Sequence, residues 1–127
     1  MIILTKAEEK IMQILWKIDE GYIKDIQSEF PDPKPPYNSV STIVRVLVKK
    51  EIVSFKQYGN TYLYYPLVSK EEYSKTQMNT LVRKYFNNSF KSVVNFFSES
   101  DELSVDEVDE VLKMLEEIKK QRKESKN

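Results

Sequence analysis

Gly59-Asn60 stands between two runs, residues 52–58 and 61–65, that are rich in β-branched and aromatic side chains. A two-residue loop made of residues that tolerate positive φ is the signature of a β-hairpin. Pro66 stops the second strand, because it cannot donate to a ladder. The rest of the chain carries helical periodicity. The sequence therefore reads as mainly α with one small β-hairpin, placed after three helical segments and before three more.

The first segment, residues 6–18, carries Ala7, Ile11, Ile14, Leu15 and Ile18 on one stripe, widened by Met12 and Trp16. Packing is the expected role of Trp16. Thr5…Glu8 forms a capping box before this segment, and Ser69…Glu72 and Ser104…Glu107 stand before two later ones. Gly21 is expected to end the first helix. A short helix over residues 23–30 follows. Pro31, Pro33, Pro35 and Pro36 then make a turn, since proline cannot continue a helix interior. The third helix, residues 38–50, buries Val40, Ile43, Val44, Leu47 and Val48. Its other face presents Asn38, Ser41, Thr42, Arg45 and Lys49.

The second half is read as three helices, with the polar end from residue 119 to 127 expected to fray. Leu81, Tyr85, Phe90, Val94, Phe97, Val108, Leu112 and Leu115 lie on apolar faces that so short a segment can hardly bury within itself. A second copy of the chain is the natural cover, and these residues are the expected dimer seam. The domain boundary is placed at 68/69, giving a domain over 1–68 and a helical dimerisation segment over 69–127.

The composition excludes several chemistries. With no cysteine there is no disulfide or thiol chemistry, and with no histidine the usual acid–base catalyst and metal ligand are absent. Two glycines are too few for a phosphate-cradling loop. Neither an enzyme nor a resident metal or cofactor is expected. No apolar run approaches the roughly 20 residues of a membrane span, and no signal peptide is evident, so a cytoplasmic protein without membrane insertion is the expectation.

The formal net charge is zero, yet it is unevenly spread. Residues 34–66 hold five basic residues against Glu51 alone, whereas residues 99–127 hold six basic against ten acidic residues. A basic centre fits a nucleic-acid footprint. Three helices followed by a hairpin is the winged helix-turn-helix order, in which the third helix enters the major groove of double-stranded DNA. The expected contacts are Asn38, Ser39, Ser41, Thr42, Arg45, Lys49 and Lys50 from that helix, with Lys56, Gln57, Asn60 and Thr61 at the wing. Serine and threonine suit phosphates or base edges, asparagine suits adenine, and arginine suits guanine or phosphate. A winged helix that binds protein instead of DNA is the alternative, and a steep salt dependence of duplex affinity discriminates the two. A ligand-sensing regulator is a third class, with no polar cluster to favour it.

Several ordered segments carry a resemblance. Residues 4–8 with Ile14-Leu15-Trp16, Ser39-Val40-Ser41-Thr42-Ile43 with Leu47-Val48-Lys49-Lys50, Tyr58-Gly59-Asn60-Thr61-Tyr62, residues 64–69, Lys91-Ser92-Val93-Val94 and Glu102-Leu103 resemble the penicillinase-repressor family. That family includes the methicillin-resistance repressors and copper-responsive relatives. The resemblance implies a homodimer on a palindromic operator, released when a membrane sensor protease leads to cleavage of the dimerisation segment at an Asn-Phe bond. Here Phe96-Phe97 aligns with that bond and Asn95-Phe96 lies one residue earlier, so the cleavage region is Asn95, Phe96 and Phe97. The cysteine-rich tail of the copper-responsive members has no counterpart.

Overall fold

Capping and breaking residues set the elements in the computed structural model, which describes residues 3–125; Met1, Ile2, Lys126 and Asn127 lie outside the described residues. The order is α1 (Lys6–Ile18), α2 (Ile23–Ser28), α3 (Tyr37–Lys49), β1 (Val53–Tyr58), β2 (Thr61–Pro66), α4 (Lys70–Tyr85), α5 (Phe90–Ser98) and α6 (Val105–Ser125). This is the mainly α architecture with one antiparallel hairpin that the sequence anticipates. The chain divides into two compact units, one running to Met78 and the other from Asn79, so that the division falls within α4.

In the first unit, Thr5 and Glu8 form the complete capping box: the Glu8 amide donates to the Thr5 hydroxyl at 3.1 Å, and the Thr5 amide donates to the Glu8 carboxylate at 2.9 Å. Ile11, Met12 and Leu15 of α1, Ile26 of α2, and Val44 and Leu47 of α3 are fully buried against one another. Ala7, expected in the α1 stripe, is exposed, because the core-facing row begins one turn later. Trp16 packs at the edge of this core as expected, 5.5 Å from the Tyr73 ring, and its indole N–H donates to the Val68 carbonyl at 2.8 Å.

Gly21 does not end α1. Asp19 takes the positive φ of 70° beyond the helix. Gly21 instead pairs with β2: its amide donates to the Tyr64 carbonyl and the Tyr64 amide donates to its own carbonyl, both at 2.9 Å. A Cβ at Gly21 would stand 2.8 Å from Ile18 Cδ1 and 3.2 Å from Asp25 Cβ, so any larger residue would have to displace the Ile18 terminus and press on Asp25. The helix expected over 23–30 stops at Ser28, and Phe30 packs beside the core from the loop. Lys34 donates to the Ser28 and Phe30 carbonyls at 3.0 and 2.7 Å, closing the end of α2 and fixing the proline-rich turn.

The passage from α3 into β1 is equally defined. Glu51 sits at φ 61°, the Ile52 amide donates to the Leu47 carbonyl at 3.0 Å, and the Glu51 amide donates to the Val48 carbonyl at 3.0 Å. This is a Schellman turn, with Ile52 packed in the same core as Leu47. Tyr58 pairs with Thr61 across the hairpin loop, and Gly59 has φ 62°, as a type II′ turn requires at its first central position.

In the second unit, the Ser89 hydroxyl accepts from the Ser92 amide at 3.2 Å and caps α5, a cap not anticipated from sequence. Phe86 and Phe96 meet edge to face at 5.7 Å, and Val93 is buried. The polar end expected to fray remains helical to Ser125.

Candidate nucleic-acid interface

The apolar row of α3 turns the opposite row outward, since residues three and four apart share a helix face. Asn38, Ser39, Thr42, Arg45 and Lys49 are exposed and Ser41 is half-buried. Across the chain reversal, Asn60 and Thr61 are exposed at the hairpin tip. Asn38, Ser41 and Arg45 from α3 and Asn60 and Thr61 from the tip line one open concavity of about 490 Å³. Tyr22, Lys24, Asp25, Tyr37, Tyr62 and Tyr64 complete its wall. Sequence reasoning missed Tyr22, Lys24 and Tyr37; the position of Tyr37, one residue before Asn38, was the available signal.

The concavity has a built floor. Tyr64 is buried and stacks at an angle with Phe55 and Tyr62, whose centroids are 6.0 and 6.4 Å away. Burial pushes the Tyr64 phenol up from its ordinary pKa, an effect that the nearby Arg45 guanidinium partly offsets. Arg45 has no ion-pair partner among the described residues. A cation near a neutral phenol, with serine, asparagine and threonine lining the same concavity, is an arrangement suited to anionic oxygen and base edges.

Three expected members are held by other partners. Lys56 lies on the hairpin face opposite Tyr62 and Tyr64, because it pairs in register with Leu63. Its ammonium is 3.6 Å from Glu20 and 5.6 Å from the Tyr65 ring centroid. Gln57 donates to the Gly59 carbonyl at 3.1 Å, bracing the tip from within. Lys50 reaches back to α1 and donates to both Glu8 oxygens at 2.8 and 3.0 Å. It ties the end of α3 to the start of α1 and does not join the outward face.

Glu8 is buried to 4% exposure, which by itself disfavours its charge. Hydrogen bonds from Lys50 and from the Thr5 amide outweigh that burial and hold the carboxyl below the ordinary glutamate value. A folded-state pKa that is depressed stabilises the fold above the unfolded pKa, and the contribution is lost as pH falls through the folded value. Glu8→Gln is therefore expected to cost about 1.5–2 kcal/mol at pH 7, the low end of the charged hydrogen-bond range because Lys50 is partly solvated. The difference between the two proteins should shrink below about pH 4.3, the ordinary glutamate pKa. Urea unfolding of both proteins at pH 7 and in mild acid checks this.

The residues expected at the dimer seam lie largely open. Leu81, Tyr85, Phe90, Val94, Val108, Leu112 and Leu115 are exposed in the single chain, with Phe97 half-buried. Asn95 and Phe96 are exposed on α5. Among the described residues no group of three or more His, Cys, Asp or Glu side chains can hold a metal ion, and no helix is long and apolar enough to cross a membrane.

The family described as "Penicillinase repressor" matches residues 4–117. The penicillinase repressor of Bacillus licheniformis is 25% identical over 126 residues, covering 95% of each chain. The methicillin resistance regulatory protein MecI of Staphylococcus aureus (strain N315) is 26% identical over 113 residues, covering 88% of this chain and 92% of that one. A solved structure titled "CopR Repressor Structure" is 28% identical and aligns with 54% of this chain and 100% of its own, at a TM-score of 0.44. A match over most of the chain, with the winged-helix order of elements, means that this chain belongs to the penicillinase repressor family, whose members are DNA-binding transcriptional regulators and not enzymes.

Proposed function

We propose that this chain is a homodimeric repressor that occludes a palindromic operator. The observation that carries the reading is the convergence of Asn38, Ser41 and Arg45 of α3 with Asn60 and Thr61 of the hairpin on one concave surface. The excess of basic residues over residues 34–66 supports it. Ser39, Thr42 and Lys49 extend the same outward face along α3. Phosphate contacts supply most of the affinity and make it fall with salt, and base contacts set the sequence.

In this reading residues 1–68 bind DNA and residues 69–127 dimerise, so two copies of α3 engage two half-sites spaced by a helical turn or a small multiple of it. Loss of the dimer ends repression, because each half then binds alone without avidity. Cleavage among Asn95, Phe96 and Phe97 by a sensor protease is one way to cause that loss. The exposure of Asn95 and Phe96 and the shortness of α5, nine residues, support access there after local opening.

The test is selection of genomic fragments by the purified protein at about 0.15 M salt, near physiological ionic strength. One recovered palindrome upstream of a few genes supports the operator reading. Random fragments, or none, overturn it and favour a protein partner. On the selected operator, Arg45→Ala is expected to cost about 1–3 kcal/mol and to relax specificity at one position. Unchanged affinity in a titration would remove Arg45 from the base-reading set.

A further inference from the structure

Val46 does not fit the polar character of the outward face of α3. It is 39% exposed, whereas Val40, Val44 and Leu47 of the same helix are at most 1% exposed. Valine is a modest helix former, and a polar residue would be better solvated at such a position. Its neighbour one turn earlier is Thr42, whose hydroxyl donates to the Asn38 carbonyl at 2.8 Å. The Thr42 hydroxyl proton is thus spent on the backbone of the helix itself. Positions 42 and 46 share one face and present two methyl-bearing side chains, bordered by Arg45 and Lys49.

In the major groove only one base edge offers an apolar group, the C5-methyl of thymine. The other edges present donors and acceptors that a valine leaves unpaired at a cost. We propose that Val46, with the methyl group of Thr42 beside it, reads thymine methyls and so determines where A·T pairs stand in each half-site. This rests on the operator-binding reading above. Lys49 holds the helix against the duplex, Arg45 reads one base as proposed above, and the pair at 42 and 46 adds the selection for thymine.

Deoxyuridine differs from thymidine only by that methyl, so the full-length protein can be titrated against its selected operator with each thymine replaced in turn. For the unaltered protein, replacement at one or two thymines per half-site is expected to weaken binding about fourfold per methyl. The same replacement should cost Val46→Ala or Thr42→Ser clearly less, since a lost contact cannot be lost twice. Both side chains are exposed, so both variants should melt like the parent. Deoxyuridine operators that bind the parent unchanged, or that weaken parent and both variants alike, overturn this inference while the operator reading stands. Failure to select any duplex overturns both.

Discussion

Leu115→Asp is expected to yield monomers and to lower operator affinity by about a hundredfold or more, the low end of the avidity that linking two binding units provides. The reason lies in α6. That helix runs for 21 residues without one buried side chain. Val108, Val111, Leu112, Leu115 and Ile118 follow at helical spacing, each between 40% and 52% exposed in the single chain. Covering such a stripe with a second copy removes each leucine from water twice, once per protomer, at about 0.7–1.5 kcal/mol each, because only about half of each side chain is still exposed. A carboxylate at 115 would be desolvated without a partner, or would hold the surfaces apart. Because Leu115 contributes to no core within its own chain, the variant should keep its helical circular dichroism. Sedimentation equilibrium decides the matter: a retained dimer would remove this stripe from the seam.

Leu47→Ala should destabilise the first unit by about 2–5 kcal/mol, as large-to-small changes at filled core positions do. Leu47 is fully buried among Ile11, Leu15, Ile26 and Val44 in the core that joins α1, α2 and α3. Against a total stability of about 5–15 kcal/mol for an ordinary domain, such a loss lowers the melting temperature by roughly 10 °C or more. Leu47 also accepts the Ile52 amide that turns the chain into the wing, and its side chain backs that turn. Operator binding should therefore weaken well below the melting point. Thermal unfolding followed by circular dichroism checks the first claim, and a drop of less than 1 °C would mean that the position is not a packing centre.

Much of this architecture was legible because it is written in short-range patterns. The apolar rows of α1 and α3, the capping box at Thr5 and the hairpin at Gly59-Asn60 each depend on residues within about one or two turns. What escaped depends on partners far apart in the chain. The Lys50–Glu8 pair spans 42 residues and the Trp16–Val68 hydrogen bond spans 52. Gly21 looked like a helix terminator because glycine commonly is one; its role appears only when Tyr64 is alongside. The set of polar residues on α3 could be read from periodicity. The company they keep, Tyr22, Lys24 and Tyr37, required the start of α2 and the first residue of α3 to be seen in place.

The bond pair between Gly21 and Tyr64, with the Leu67 amide donating to the Ile52 carbonyl at 2.8 Å, makes the hairpin a cantilever. Its root is clamped to the same framework that carries α3, while its tip at Gly59 has open space on every side where a side chain would project. Displacement under load is therefore largest at the free end. In the proposed operator complex, that displacement lets the tip follow the rise and fall of a sugar–phosphate strand while the clamped root keeps its angle to α3. On that reading two tasks are separated: the clamped root keeps the reading helix in register, and the free tip, braced within itself, moves as a unit to meet operators whose groove widths differ.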